Sequence, residues 1–149
     1  MTMQLDVNED GRKVAQSELK KKQVSGDSYT AISAKELGKR GEDAAVKLLQ
    51  EKGYEIVARN YMCVAGEADI IAIDEGCLVF IEVKTRSDIS KGFPEEAVGP
   101  RKRARYERIA AYYISEHDCS CSHIRFDVIG ILVAEKNKAL ARHIINAFG

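Results

Sequence analysis

The stretch ADIIAIDEGCLVFIEVKT, residues 68–85, decides the fold. It contains two strand-like runs, Ala68 to Ile73 and Leu78 to Thr85, joined through Asp74-Glu75-Gly76-Cys77. The second run is almost continuously apolar, as a central strand buried on both faces should be, and Glu82 and Lys84 interrupt it. Alternation puts Leu78, Phe80, Glu82 and Lys84 on one face, and Asp69, Ile71 and Ile73 on one face of the preceding strand. A turn of two or four residues sets Ile73 opposite Leu78, Ile71 opposite Phe80 and Asp69 opposite Glu82. A three-residue turn would send the two acids to opposite faces.

The chemistry favours the first register. Directly opposed strand residues have Cβ atoms about 4.5–5.5 Å apart, near enough for two carboxylates to share a divalent cation. Without a cation, two like charges facing each other on half-buried strands are destabilising, and local rules broken in this way mark functional sites. A hard, octahedral ion such as Mg²⁺ or Mn²⁺ suits such a site, because it takes a few carboxylates and leaves positions for water and phosphate oxygens. Lys84, two residues beyond Glu82, would set an ammonium beside the phosphate. Taken singly these residues say little: an acid and a lysine two apart fit a solvated edge, and an aspartate commonly begins a strand. The apolar setting from Leu78 to Val83 tips the reading toward a site.

Upstream, Ser33-Ala34-Lys35-Glu36 has the form of a capping box, and Leu37, Gly41, Ala45, Leu48 and Leu49 follow on one helical face, with a natural stop at Gly53. Glu42 falls at the edge of that stripe, beside Gly38, Ala45 and Leu49. A strand from Tyr54 to Tyr61 and a loop to Gly66 lead into the central pair. Downstream, Gly92 to Pro100 reads as loop and Arg101 to about Glu116 as a helix burying Tyr106, Ile109, Ala110 and Tyr113. Arg101, Arg105 and Arg108 line another face of it, while Lys102 projects from the buried face at the N-terminal end. A strand from Ile124 to Val133 follows, and Leu140 to Phe148 closes the chain with a short strand and a turn. This order implies an α/β fold, a mixed central sheet flanked by helices.

Residues 1–32 are polar, include Lys20-Lys21-Lys22, and read as a flexible N-terminal tail with a weak helix near Val14 to Lys22; residues 33–149 form the domain. The 149 residues carry 23 basic and 23 acidic side chains, so bulk charge does not drive nucleic-acid binding and any such site must be local. Cys63, Cys77, Cys119 and Cys121 lack zinc-site spacing and read as reduced, structural thiols. With neither a secretory pattern at the start nor a membrane-spanning run, the expected location is cytoplasmic.

Gly41-Glu42, Gly53-Tyr54 with Arg59-Asn60, Gly66-Glu67-Ala68-Asp69, Glu82-Val83-Lys84-Thr85-Arg86, Arg125-Phe126-Asp127-Val128 and Asn146-Ala147-Phe148 together resemble the YraN family, over about Ala34 to Phe148. That bacterial family is similar in core design to Holliday-junction resolvases and to the restriction-endonuclease-like PD-(D/E)xK superfamily. The resemblance implies a restriction-endonuclease-like core in which Asp69, Glu82 and the Val83 carbonyl bind metal, Lys84 is catalytic, Glu42 joins as a helix-borne acid and Lys102 contacts substrate. Ala68 stands where the family usually has a bulkier apolar residue, and the N-terminal tail is extra.

The expected function is a Mg²⁺- or Mn²⁺-dependent nuclease acting on DNA, including branched or structured forms, with backbone phosphates held by Arg86, Lys102, Arg101 and Arg105. For Arg101 and Arg105 an ordinary solvated helix face explains the pattern equally well. The alternative is a nucleic-acid-binding or partner-binding module with a vestigial site, which the neutral net charge favours. The resolvase resemblance also motivates a homodimer.

Overall fold

The computed structural model describes residues 2–6, 33–88, 99–121, 123–133 and 138–147. Its elements in chain order are β1 (Thr2–Asp6), α1 (Ala34–Glu51), β2 (Glu55–Cys63), β3 (Gly66–Asp74), β4 (Cys77–Arg86), α2 (Pro100–Glu116), β5 (His123–Val133) and β6 (Lys138–Ile144). The six strands form one sheet in the order β1-β6-β5-β4-β3-β2. β4 and β5 pair in parallel across the α2 crossover, and the other pairs are antiparallel. This is the expected α/β fold with a mixed central sheet, and it is consistent with a restriction-endonuclease-like core.

The two helices cover opposite faces. Ala44, Ala45, Leu48 and Leu49 of α1 pack on Ile70, Ala72, Val79, Ile81, Ile129 and Ile131. Tyr106, Ile109, Ala110 and Tyr113 of α2 pack on Ile71, Leu78 and Phe80. Adjacent residues of β4 thus serve different cores, which is why its sequence is apolar at successive positions. Each fully buried side chain of this kind contributes about 2 kcal/mol of transfer free energy.

Local signals set the boundaries. The Ser33 hydroxyl accepts from Glu36 N at 3.1 Å, while the Glu36 carboxylate turns to Arg40 instead of completing the reciprocal half of the box. At the far end of α1, Gly53 takes a φ of 88°, Gly53 N donates to Gln50 O and Tyr54 N to Leu49 O, a Schellman closure. The β3–β4 turn is two residues, Glu75 and Gly76, both with positive φ, and it sets Ile73 opposite Leu78 and Ile71 opposite Phe80.

Two segments differ from expectation. Thr2–Asp6, read as part of a polar tail, pairs with β6 at the sheet edge; five residues are too few for a period to declare itself in sequence. The rest of that stretch, with Lys20-Lys21-Lys22 and the helix near Val14 to Lys22, lies outside the described residues, as do 89–98 and Phe148. Between Tyr61 and Gly66 the chain forms a tight hairpin where a loop was expected, with Cys63 paired to Gly66 across Val64 and Ala65. All four cysteines are free thiols, partly buried. Among the described residues no helix is long and apolar enough to cross a membrane.

Candidate functional site

The β3–β4 ladder runs from Asp74 and Cys77 to Ile70 and Ile81, and stops one pair short of Asp69 and Glu82. In place of the next rung, Asp69 Oδ2 accepts from Val83 N at 2.8 Å, so a side chain substitutes for backbone pairing where the strands part. Ala68, which strict alternation would place with Ile70, packs instead in the α2-side cluster with Ile71 and Phe80. The expected row of Asp69, Ile71 and Ile73 is therefore broken at Asp69. Asp69 turns to the β4 backbone, and a small residue at 68 fits the space left on the α2 side.

Glu82 lies on the α2 face and is 8% exposed. Lys84 Nζ is 3.4 Å from Glu82 Oε1, and Lys102 Nζ, from the first turn of α2, is 2.5 Å from Glu82 Oε2. The second contact is an ion pair without hydrogen-bond alignment. Pro100 at the start of α2 fixes the entry of that turn. Val83 lies between Glu82 and Lys84 with its N–H committed to Asp69.

Glu42 reaches the same region from α1. A Cβ on Gly41 would overlap the Thr85 side chain, so only glycine lets this turn of α1 lie so near the end of β4. The next residue, Glu42, accepts from Arg59 Nε and Asn60 Nδ2, both at 3.0 Å, and Asp43 accepts from Arg59 Nη2 at 2.6 Å. Asn60 has a φ of 52°, a left-handed geometry that asparagine tolerates. Glu42 is thus near Asp69 but not directed at it. Lys35, Lys39, Glu42, Arg59, Asn60 and Asp69 help to line an open groove of about 1020 Å³ on this side.

The charges are unbalanced around Asp69. Burial, reinforced by Glu82, Glu42 and Glu67 and opposed by the Val83 N–H, pushes its carboxyl up to about 6. Such a site favours a proton or another cation. Among the described residues no three His, Cys, Asp or Glu side chains converge closely enough to hold a metal ion unaided. Magnesium, however, is commonly held by one or two carboxylates with water completing its shell, and the Asp69 carboxyl, raised by burial and by Glu82, would suit such an ion.

The remaining expected residues divide. Arg86 is half-buried at the end of β4, and Arg101 and Arg105 are exposed on α2. Arg59, Asn60, Lys35 and Lys39 were not expected in the site from sequence. Arg59-Asn60 stands out in the sequence only as part of a motif, and Lys35 and Lys39 line the groove wall from the first turns of α1.

A second polar cluster sits on the α1 face. Asp127 accepts from Arg125 Nε and Nη2 at 2.9 Å each and from Asn146 N at 2.9 Å, and lies 2.8 Å from His143 Nε2. Lys52 Nζ is 2.6 Å from His143 Nδ1, so that nitrogen accepts and Nε2 carries the proton toward Asp127. Arg125 also donates to the Tyr54 hydroxyl at 2.7 Å and to Asp74 at 3.2 Å. Burial would raise Asp127, yet His143, Arg125 and Asn146 N hold it below the usual carboxylate range.

Fold and site together define an α/β protein with a mixed sheet that opens at one end onto a cluster of acidic and basic side chains. Comparison with known sequences gives the family. The family model described as "Uncharacterised protein family UPF0102" matches residues 41–131, a span that includes Glu42, Asp69, Glu82, Lys84 and Lys102. A UPF0102 protein of Dictyoglomus thermophilum is 44% identical over 118 residues, covering 78% of this chain and all of that one. One from Chlorobium phaeobacteroides is 47% identical over 118 residues, covering 76% of this chain and 94% of the other. The chain belongs to the UPF0102 family, the YraN type that its motifs resemble.

Proposed function

We propose that the protein is a metal-dependent nuclease that hydrolyses phosphodiester bonds in DNA. The observation that carries this reading is the parted end of β3 and β4, where Asp69 lines an open groove and Glu82, on the α2 face, meets Lys84 and Lys102. A Mg²⁺ or Mn²⁺ ion held by Asp69, Glu82 and the Val83 carbonyl would supply Lewis-acid polarisation of the phosphodiester and a more acidic water.

The chain's own residues do the rest. Lys84, with its side chain 36% exposed, is the ammonium best placed to orient a phosphate and offset charge in the transition state. Lys102 offsets the Glu82 charge from α2 and would be free to reach a phosphate if a cation were held by that carboxylate. Glu42 anchors Arg59 and Asn60 at the groove and adds negative potential at Asp69. Arg86, Arg101 and Arg105 meet backbone phosphates, which gives salt-dependent binding with little base readout.

The test is cleavage of labelled linear, single-stranded, flapped and four-way DNA with Mg²⁺ or Mn²⁺. Loss of one transition-state group typically costs about 10²–10³ in rate, the fall expected for Asp69→Ala and Lys84→Ala. A second reading, a nucleic-acid-binding module without catalysis, draws on the neutralisation of Glu82 by two lysines. DNA binding with no cutting, and unchanged by Lys84→Ala, would replace the nuclease reading with it.

A further inference from the structure

The chemistry above uses only one end of α2. At the other end, about 20 Å along the helix from Lys102, the chain leaves its last turn through His117-Asp118-Cys119-Ser120-Cys121. His117 braces this exit. Its backbone N and its Nδ1 both donate to Tyr113 O, at 3.0 and 2.9 Å, and its ring is stacked on the Tyr113 ring at 4.1 Å. From there to Cys121 the segment has no regular structure, so no strand ladder fixes its backbone. Cys119 and Cys121 pack against the α2-side core, and the Cys121 thiol donates to the Cys119 sulfur.

The pair also borders an open cavity of about 420 Å³, within the range that holds small molecules. Leu78, Ile73 and Val57 give it an apolar floor. Glu116 and Asp118 are acids on its wall, both exposed, and no lysine or arginine is among the described residues that line it. An anion entering there meets two like charges, whereas a cation or a neutral molecule does not. Within the pair the two sulfurs differ. The Cys119 sulfur, and then burial, push the Cys121 thiol up to about 11, so Cys121 keeps its proton while its partner is the sulfur that a hydrogen bond supports as a thiolate.

We propose that Cys119 and Cys121 form a thiol–disulfide exchange site for a small disulfide that carries no acidic groups. Cys119 attacks one sulfur of the seated R–S–S–R, which breaks that bond, forms a mixed disulfide between Cys119 and R–S, and expels R–S⁻ to take up a proton. Cys121 then gives up its proton and attacks the Cys119 sulfur, closing the Cys119–Cys121 disulfide and releasing the second R–SH. Two electrons pass from the dithiol to the small disulfide, and the reverse exchange restores the pair. The site is at the far end of α2 from Glu82 and does not depend on the nuclease reading.

The experiment mixes the reduced full-length protein with cystamine, whose ends are ammonium groups, or with oxidised glutathione, whose ends are carboxylates, and maps the products by peptide mass spectrometry. The wild type is expected to give the Cys119–Cys121 disulfide. Cys121→Ser should stop at a mixed disulfide on Cys119, and Cys119→Ser should react about tenfold more slowly. Relative to the urea-unfolded chain, the folded one should favour cystamine over oxidised glutathione by about tenfold at low salt. That margin should shrink in high salt and in Glu116→Gln/Asp118→Asn, whose changes are at exposed positions. Cys63→Ser/Cys77→Ser should behave as the wild type. Adducts that gather on Cys63, Cys77 or Cys121 overturn the site. A folded chain no more selective than the unfolded one also overturns it, a comparison that needs no variant to fold.

Discussion

Asp127 has both carboxylate oxygens engaged, by Arg125, His143 and the Asn146 backbone, and its side chain is fully buried. Asp69, on the same sheet, has one backbone N–H on Oδ2 and three other carboxylates acting on it electrostatically. The carboxyl of the first is held low by partners and that of the second is raised by burial and like charge. A buried acid that serves the fold is closed by its neighbours; one that awaits a ligand is left with unbalanced charge. Both aspartates stand one residue past the end of a ladder and accept a backbone N–H there, Asp127 from Asn146 and Asp69 from Val83, so what separates them is the cationic and histidine partners that only Asp127 has gathered.

Removing the closed carboxylate should have the largest effect on the fold. Asp127→Ala leaves the half-buried Arg125 without its main partner and the buried His143 without its acceptor, and breaking buried pairs of this kind costs about 3–5 kcal/mol. The midpoint of urea denaturation should fall sharply, whereas Asp69→Ala should leave it near or above the wild-type value. Equal losses in the two variants would erase the distinction between a fold-serving and a ligand-serving acid.

Gly41→Ala comes next. In an open helix this change stabilises by about 1 kcal/mol, but here the new Cβ falls within the Thr85 side chain. Overpacking costs about 1–3 kcal/mol, so a net loss is expected, together with displacement of Glu42 from Arg59 and Asn60. A gain in thermal stability would mean that α1 does not press on β4 as described.

The two aspartates should also have opposite pH signatures. Because the Asp69 carboxyl is raised to about 6, the folded chain binds its proton more tightly than the unfolded chain; stability is lost as pH rises from about 4 to 6 and stays lowered above. Asp69→Asn, which keeps an oxygen for Val83 N, should therefore raise stability by about 1 kcal/mol at pH 7.5 after solvent screening, and by little at pH 4.5. Asp127 is depressed, so its contribution is present above the unfolded carboxyl pKa of about 3.9 and disappears as pH falls through the lower folded value. Urea denaturation of both variants at the two pH values would test this, and a stability difference for Asp69→Asn that is independent of pH would contradict the account.

What the sequence reveals follows the same division. The apolar run of β4 sets the register and with it Asp69, Glu82 and Lys84, because residues that serve two cores must be apolar at successive positions. The parting of the strands and the turn of Asp69 toward Val83 N were not legible, since they depend on Asn60 and Ala68 breaking the alternation in three dimensions. The hairpin at Val64 was read as loop because Met62 and Val64, which face water, are as apolar as Tyr61 and Cys63, which pack inward; a strand with both faces apolar has no two-residue contrast. The Lys52, His143 and Asp127 chain was hidden by distance, since 91 residues separate Lys52 from His143.

The smallest expected effect concerns Lys102. Its ammonium lies against Glu82 Oε2, where a divalent cation drawing on Glu82 would compete with it. Removing it cancels a positive charge beside the acids and frees a carboxylate oxygen, so Lys102→Gln should tighten Mn²⁺ binding a few-fold, about 1 kcal/mol, in calorimetry or in the loss of free-ion electron paramagnetic resonance signal, without DNA present. DNA affinity should weaken in the same variant, because the released cation is the one proposed to move to phosphate. The two changes have opposite signs, which a general loss of structure would not produce. If Lys102→Gln leaves Mn²⁺ affinity unchanged while Asp69→Ala abolishes it, then Glu82 belongs with Asp127 as an acid closed by its own partners, and Asp69 alone carries the metal.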